Sequence, residues 1–186
     1  IPWIRKQKQR FANQERQTKR DFVTGESHYF FGRKCRLDVV KTEKRPTILL
    51  RKKGQLELRI TPNATIRQKE RIFDGFYRGE LEKLIPELLK KWQDKVGVEV
   101  NQVKIKKMKT KWGTCNSKDK RIWLNLELAK KPMNCIDYVF VHELVHIIEQ
   151  KHSAKFVQIL ESAYPKWRQS KDELNRGILG HFEWKY

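Results

Sequence analysis

The sequence predicts an α+β fold, sheet first and helices later, and three observations predict it. Residues 28–61 carry short alternating or apolar runs (HYFFG, CRLDVV, TILLRK, LELRI) punctuated by Gly32, Pro46, Gly54 and Pro62, as an N-terminal antiparallel sheet of hairpins would. Residues 65–95 change period: Ile66, Phe73, Phe76, Tyr77, Leu81, Leu84, Leu88, Leu89 and Trp92 fall mostly on one helical face. Residues 135–149 read as a helix that is apolar nearly all round, and such a helix belongs in the middle of a core.

The remaining elements follow from the same patterns. Pro86 should kink the long helix or start a second one, and Gly97 ends it. The segment VEVNQVKIKKMKT alternates apolar and basic residues, as a half-buried strand does. A turn over residues 116–120 leads into RIWLNLELA, a second strand, and a last helix spans residues 153–163 before Pro165.

A chain of 186 residues, 38% apolar and 11% aromatic, can bury one core despite being 34% charged. Residues 1–22 read as a basic arm with Trp3, Ile4 and Phe11 as its few apolar points, and residues 23–186 as a single domain. The arm holds no apolar stretch of the kind a signal peptide carries. No run of about 18 apolar residues is present, which excludes a membrane-spanning helix. Cys35, Cys115 and Cys135 are odd in number and form no CxxC pair, a pattern suited to the reducing cytoplasm. The 42 Lys and Arg against 22 Asp and Glu give a net charge of +20, which argues for contact with DNA or another polyanion; the same charge would also serve solubility alone.

The chemistry centres on His142-Glu143-Leu144-Val145-His146. Positions i and i+4 lie one helical turn apart, so both imidazoles project from one face and can share a zinc ion. Glu143 can then reach a water on that zinc as general base. Two histidines and a glutamate inside an otherwise apolar helix need partners, because each unpaired buried group costs about 1–3 kcal/mol. One metal satisfies all three.

A catalytic zinc usually takes three protein ligands. The candidate third is His152, with Glu161 and Glu173 as carboxylate alternatives; ligand preference favours His152. An unbroken helix would turn His152 away from His142 and His146, so the helix must end near residues 149–151 and the chain bend back. Ser153 is a good N-cap for the helix after that break. His28 and His181 stand apart from this set.

Lys111-Trp112-Gly113-Thr114-Cys115, Leu124-Asn125, Ile136-Asp137-Tyr138-Val139, HELVH, and His152-Ser153 with Phe156 together resemble the YgjP-like metallopeptidase family. Residues 25–37, GESHYFFGRKCRL, resemble that family's N-terminal sheet motif, so the similarity covers roughly residues 22–170. The resemblance implies a zincin-like fold, the ligand set His142, His146 and His152, the base Glu143, and kinship with SprT-like peptidases. Thr114 stands where the family often has Ser, and Lys151 where it often has Asn.

The expected reaction is hydrolysis of a protein or peptide: Zn2+ acidifies a water, and Glu143 takes its proton and passes it to the leaving amine. The edge of the strand over residues 121–127 would pair with an extended substrate, with Trp123, Leu124 and Asn125 as candidate substrate contacts; for Asn125 a cap or loop role is the equal alternative. Cys115 as a thiolate switch on the zinc is weighed against a small buried thiol, the commoner case. The rival classes are a nucleic-acid-binding module with a structural zinc, and a hydrolase acting on esters or amides other than peptides.

Overall fold

The structure, a computed structural model, describes residues 20–176. The expectations placed on residues 1–19 of the arm and on His181 lie outside the described residues. The chain runs β1 (Ser27–Phe30), β2 (Arg33–Lys41), β3 (Thr47–Arg51), β4 (Gln55–Ile60), α1 (Ile66–Val96), β5 (Gln102–Lys106), β6 (Gly113–Asn116), β7 (Arg121–Asn125), α2 (Met133–Ile148), α3 (Ala154–Ala163) and α4 (Trp167–Arg176).

The first four strands form one sheet in the order β1-β2-β4-β3. Its β1–β2 and β3–β4 pairs are antiparallel, as expected of hairpins, but β2 and β4 run parallel, Arg36 facing Gln55 and Lys41 facing Ile60. The β3–β4 hairpin places β3 outermost, so β4 meets β2 along its other edge. Leu37, Leu56, Leu58 and Ile60 point inward from this sheet and are buried. The β1–β2 turn has positive φ at both Phe31 and Gly32, the geometry of a twist-matched two-residue hairpin. Gly32 packs against Pro132 so closely that a Cβ would lie 2.7 Å from its Cγ. The hairpin is thereby docked on the start of α2.

Thr65 caps α1 through a reciprocal bond with Gln68, and Gly97 closes it in the left-handed region with φ 76°. The helix continues through Pro86 instead of restarting there. Buried Leu81, Leu88 and Trp92 lie on both sides of the proline and hold the two halves to one core, which offsets the missing hydrogen bond. Phe22, assigned by sequence to the arm, is buried against His28 and Phe73, and Arg20 pairs with Glu26 at 3.3 Å.

The second sheet has the order β5-β7-β6, with β5 parallel and β6 antiparallel to the central β7. Strand β7 ends at Asn125, earlier than RIWLNLELA suggests, because the Asn125 side chain accepts a hydrogen bond from Glu127 N and caps a 3₁₀ turn over Leu126–Lys130. Two further elements escape the sequence reading, the short strand β6 and helix α4. Helix α2 lies at the centre, touching β6, β7, α1, α3 and α4. Asp137 fixes its rotation by accepting from Trp92 Nε1 and Lys91 Nζ, both at 2.7 Å. One hydrophobic cluster runs through both sheets and the helices. No helix among the described residues is long and apolar enough to cross a membrane.

Pro86 is exposed on α1 and contributes no packing that Ala would lose. Pro86→Ala should raise unfolding stability by about 1–2 kcal/mol, the helix-propensity gain less the added freedom of the unfolded chain, read from urea denaturation.

Candidate active site

Helix α2 carries His142, Glu143 and His146 from the core to the floor of an open cleft of ≈ 730 Å³. Strand β6 and the residues before it line the cleft, as do Lys171, Leu174 and Asn175 of α4. The helix stops at Ile148 because the chain turns extended at Glu149, with φ −133°. The turn is held by three short-range bonds: Glu149 N to Val145 O, Lys151 N to the Glu149 carboxylate, and Ser153 N to Lys151 O. Ser153 Oγ then accepts from Phe156 N and starts α3. Lys151 is absent from the described residues with positive φ, so the turn has no need of the Asn that easily adopts such a conformation. Gln150 Nε2 donates to Ser117 Oγ at 2.7 Å and ties this turn to the far end of β6.

The turn returns His152 to the other two histidines. His152 Nε2 lies 3.0 Å from His142 Nε2, and one nitrogen from each of His142, His146 and His152 falls within 4.8 Å of the others. Among the described residues these three alone form such a group. Phe156 stands behind the cluster with its ring 4.9, 4.8 and 4.8 Å from the rings of His142, His146 and His152. His146 Nδ1 donates to Glu149 O at 3.1 Å, which leaves Nε2 of that ring as a lone-pair donor. Burial, with the neighbouring imidazoles and Lys171 adding to it, pushes His142 down to about 3; burial likewise lowers His146. Neutral imidazoles are the form that binds a metal. The facing Nε2 atoms are close to the separation of about 3.3 Å that two imidazoles span around one tetrahedral zinc. The residues present therefore fit a divalent metal.

Glu143 is 5% exposed, and burial raises it to about 8 against the opposing charge of Lys111. Its carboxylate lies against the bare backbone of Gly113 on β6: a Cβ there would sit 2.6 Å from Glu143 Oε1 and 2.7 Å from Cγ. Only glycine leaves room for Glu143 in this position.

The three substrate candidates from sequence do not line the cleft. Trp123, Leu124 and Asn125 lie on β7, whose two edges are taken by β5 and β6. Leu124 is buried in the core, and Trp123 lies under the ammonium of Lys106 at 4.2 Å. The Asn125 amide donates to Met108 O and Lys111 O, and its oxygen accepts from Met108 N. It serves the loop before β6, the alternative role. The strand beside the histidines is β6, whose outer edge pairs with no strand among the described residues. Its hairpin with β7 was concealed in the sequence because it holds only four residues, and Gly113 was its only conspicuous mark. Tyr138, Gln150, Lys171 and Leu174 also line the cleft and were not singled out.

The alternative ligands are engaged elsewhere. Glu161 accepts from Trp167 Nε1 and Arg168, and Glu173 accepts from Asn134 Nδ2 at 2.5 Å. His28 is buried and stacked on Phe73, and it is not among the residues that line the cleft. Burial raises the Cys115 thiol to about 11, with Glu143 adding to it, so it remains a neutral thiol at ordinary pH.

Two histidines one turn apart with a glutamate between them, joined by a third histidine under an open strand edge, define the class of metal-dependent hydrolases. The comparison with protein families narrows this: the YgjP-like metallopeptidase domain matches residues 1–177, and the chain belongs to that family. It is a metallopeptidase, a hydrolase acting on protein or peptide substrates. No curated protein matches it. Among solved structures it is similar to the metallopeptidase zymogen of Pyrococcus abyssi abylysin, at 22% identity and a TM-score of 0.44, over 50% of this chain and 98% of that one.

Two substitutions separate the supports from the chemistry. Gly113→Ala should displace Glu143 and lower peptidase turnover at least tenfold while metal content, read by elemental analysis, stays unchanged. Asn125→Ala should destabilise the protein by about 1–3 kcal/mol in urea denaturation, because three half-buried bonds from this buried side chain to the 108–111 loop are lost.

Proposed function

We propose that this chain is a zinc peptidase in which His142, His146 and His152 hold one Zn2+ and Glu143 is the general base. The observation that carries the reading is the convergence of three imidazole nitrogens within 4.8 Å on the cleft floor that also holds Glu143. An all-imidazole set of this kind suits zinc. When bound, the ion supplies Lewis acidity, acidifying a water and polarising a peptide carbonyl.

The protein's own groups do the rest. Glu143, confined by Gly113 on one side, accepts the proton of the attacking water and delivers it to the leaving amine. His146 is held in one orientation by the Glu149 carbonyl, and Phe156 fixes the planes of all three rings. The free edge of β6 offers backbone groups to an extended substrate, which then runs past the histidines. The net charge of +20 supports contact with nucleic acid near the substrate, and the three free cysteines suit the reducing cytoplasm.

Glu143→Gln should lower kcat on a peptide substrate by roughly 10²–10⁴-fold and retain about one zinc per chain, whereas His142→Ala should lose the metal. Full activity in Glu143→Gln would remove the glutamate from the mechanism. Intact zinc content in His142→Ala would remove the three-histidine site.

A further inference from the structure

The cleft has a one-sided charge. Among the described residues that line it Glu143 is the only one with a carboxyl group, and it is buried. The charged side chains at its rim are Lys111, Lys118 and Lys171, all exposed. No ion pair among the described residues engages any of the three. Other lysines of this chain are neutralised locally: Lys107 by Glu70 and Asp74, Lys91 by Asp137, Lys130 by Glu127.

Their placement follows the path of a substrate. Lys111 precedes β6 (Gly113–Asn116) by two residues and Lys118 follows it by two, so an extended peptide laid along that edge has an ammonium near each end. Lys171 lines the same cleft from α4 (Trp167–Arg176). Lys111 and Lys171 line the same cleft as His142, Glu143, His146 and His152, which places both beside the reacting centre. Cationic groups lining a low-dielectric cleft concentrate anionic ligands there.

We infer that the cleft selects acidic peptide segments, with Asp or Glu side chains flanking the bond held at the histidines and Lys111, Lys118 and Lys171 as the groups that recognise them. This inference rests on the peptidase reading for its substrate, but the binding step can be measured apart from hydrolysis.

The test uses the full chain carrying Glu143→Gln and two fluorescein-labelled peptides, identical except for Glu or Lys at the flanking positions. Anisotropy at low salt should show the acidic peptide bound at least tenfold tighter, with the difference falling steeply by about 0.5 M salt as the charges are screened. Adding Lys118→Glu and Lys171→Glu should abolish or reverse the preference. A control with Lys41→Glu and Lys90→Glu, equal in net charge but outside the cleft, should keep it; Lys118→Gln with Lys171→Gln gives the same comparison without charge reversal. Equal binding of the two peptides, or a preference lost equally in the control, overturns the inference. Cleavage of both peptides by zinc-loaded wild type at equal kcat/KM overturns it while leaving the peptidase reading intact. Selective binding without cleavage of either peptide does the opposite.

Discussion

Helix α2 is enclosed on almost every side, yet it has to lodge two imidazoles and a carboxylate. Each of these groups loses hydration there, and the loss holds His142 neutral and resists ionisation of Glu143. Such groups are tolerable only on a face that opens to the cleft, so the rotation and depth of α2 cannot be left loose. The neighbours set both. Asp137 locks the helix to Trp92 and Lys91 of α1, and Pro132 at its start receives the Gly32 turn of the first sheet.

The second sheet adds a finer control through a short chain of contacts. Asn125 ends β7 and uses its amide to gather the loop from Met108 to Lys111. That loop delivers Gly113, and the missing side chain of Gly113 is the space in which Glu143 rests. A residue on the central strand therefore acts on the site through backbone geometry, although it never reaches the cleft. The first sheet acts at one remove, through the Gly32 turn packed on Pro132.

Much of the site was legible because it obeys local rules. The i, i+4 spacing of His142 and His146 needs only helical periodicity, and the break before His152 needs only that an unbroken helix would aim it elsewhere. Ser153 marked the restart of the chain as a helix. The strand edge was misplaced for an equally physical reason. RIWLNLELA has the apolar alternation of a strand, but alternation measures burial, and a strand buried this well is central and has no free edge. Four residues containing a glycine, Gly113–Asn116, carry too little pattern to announce the true edge. Helix α4 was silent because Ser170 and Leu174 are its only fully buried residues.

The sequence alone determined what depends on neighbours along the chain: the α+β order of elements, the all-round burial of α2, the HExxH pair, and the turn that frees His152. Tertiary structure decided what depends on residues far apart meeting in space. It brought His152 Nε2 to 3.0 Å from His142 Nε2, put Gly113 against Glu143, paired β2 with β4 in parallel, and gathered Lys111, Lys118 and Lys171 around one opening. Periodicity and capping are short-range effects written into successive residues. Close approach, strand order and the summed field of separate lysines arise only when the core fixes how distant segments pack.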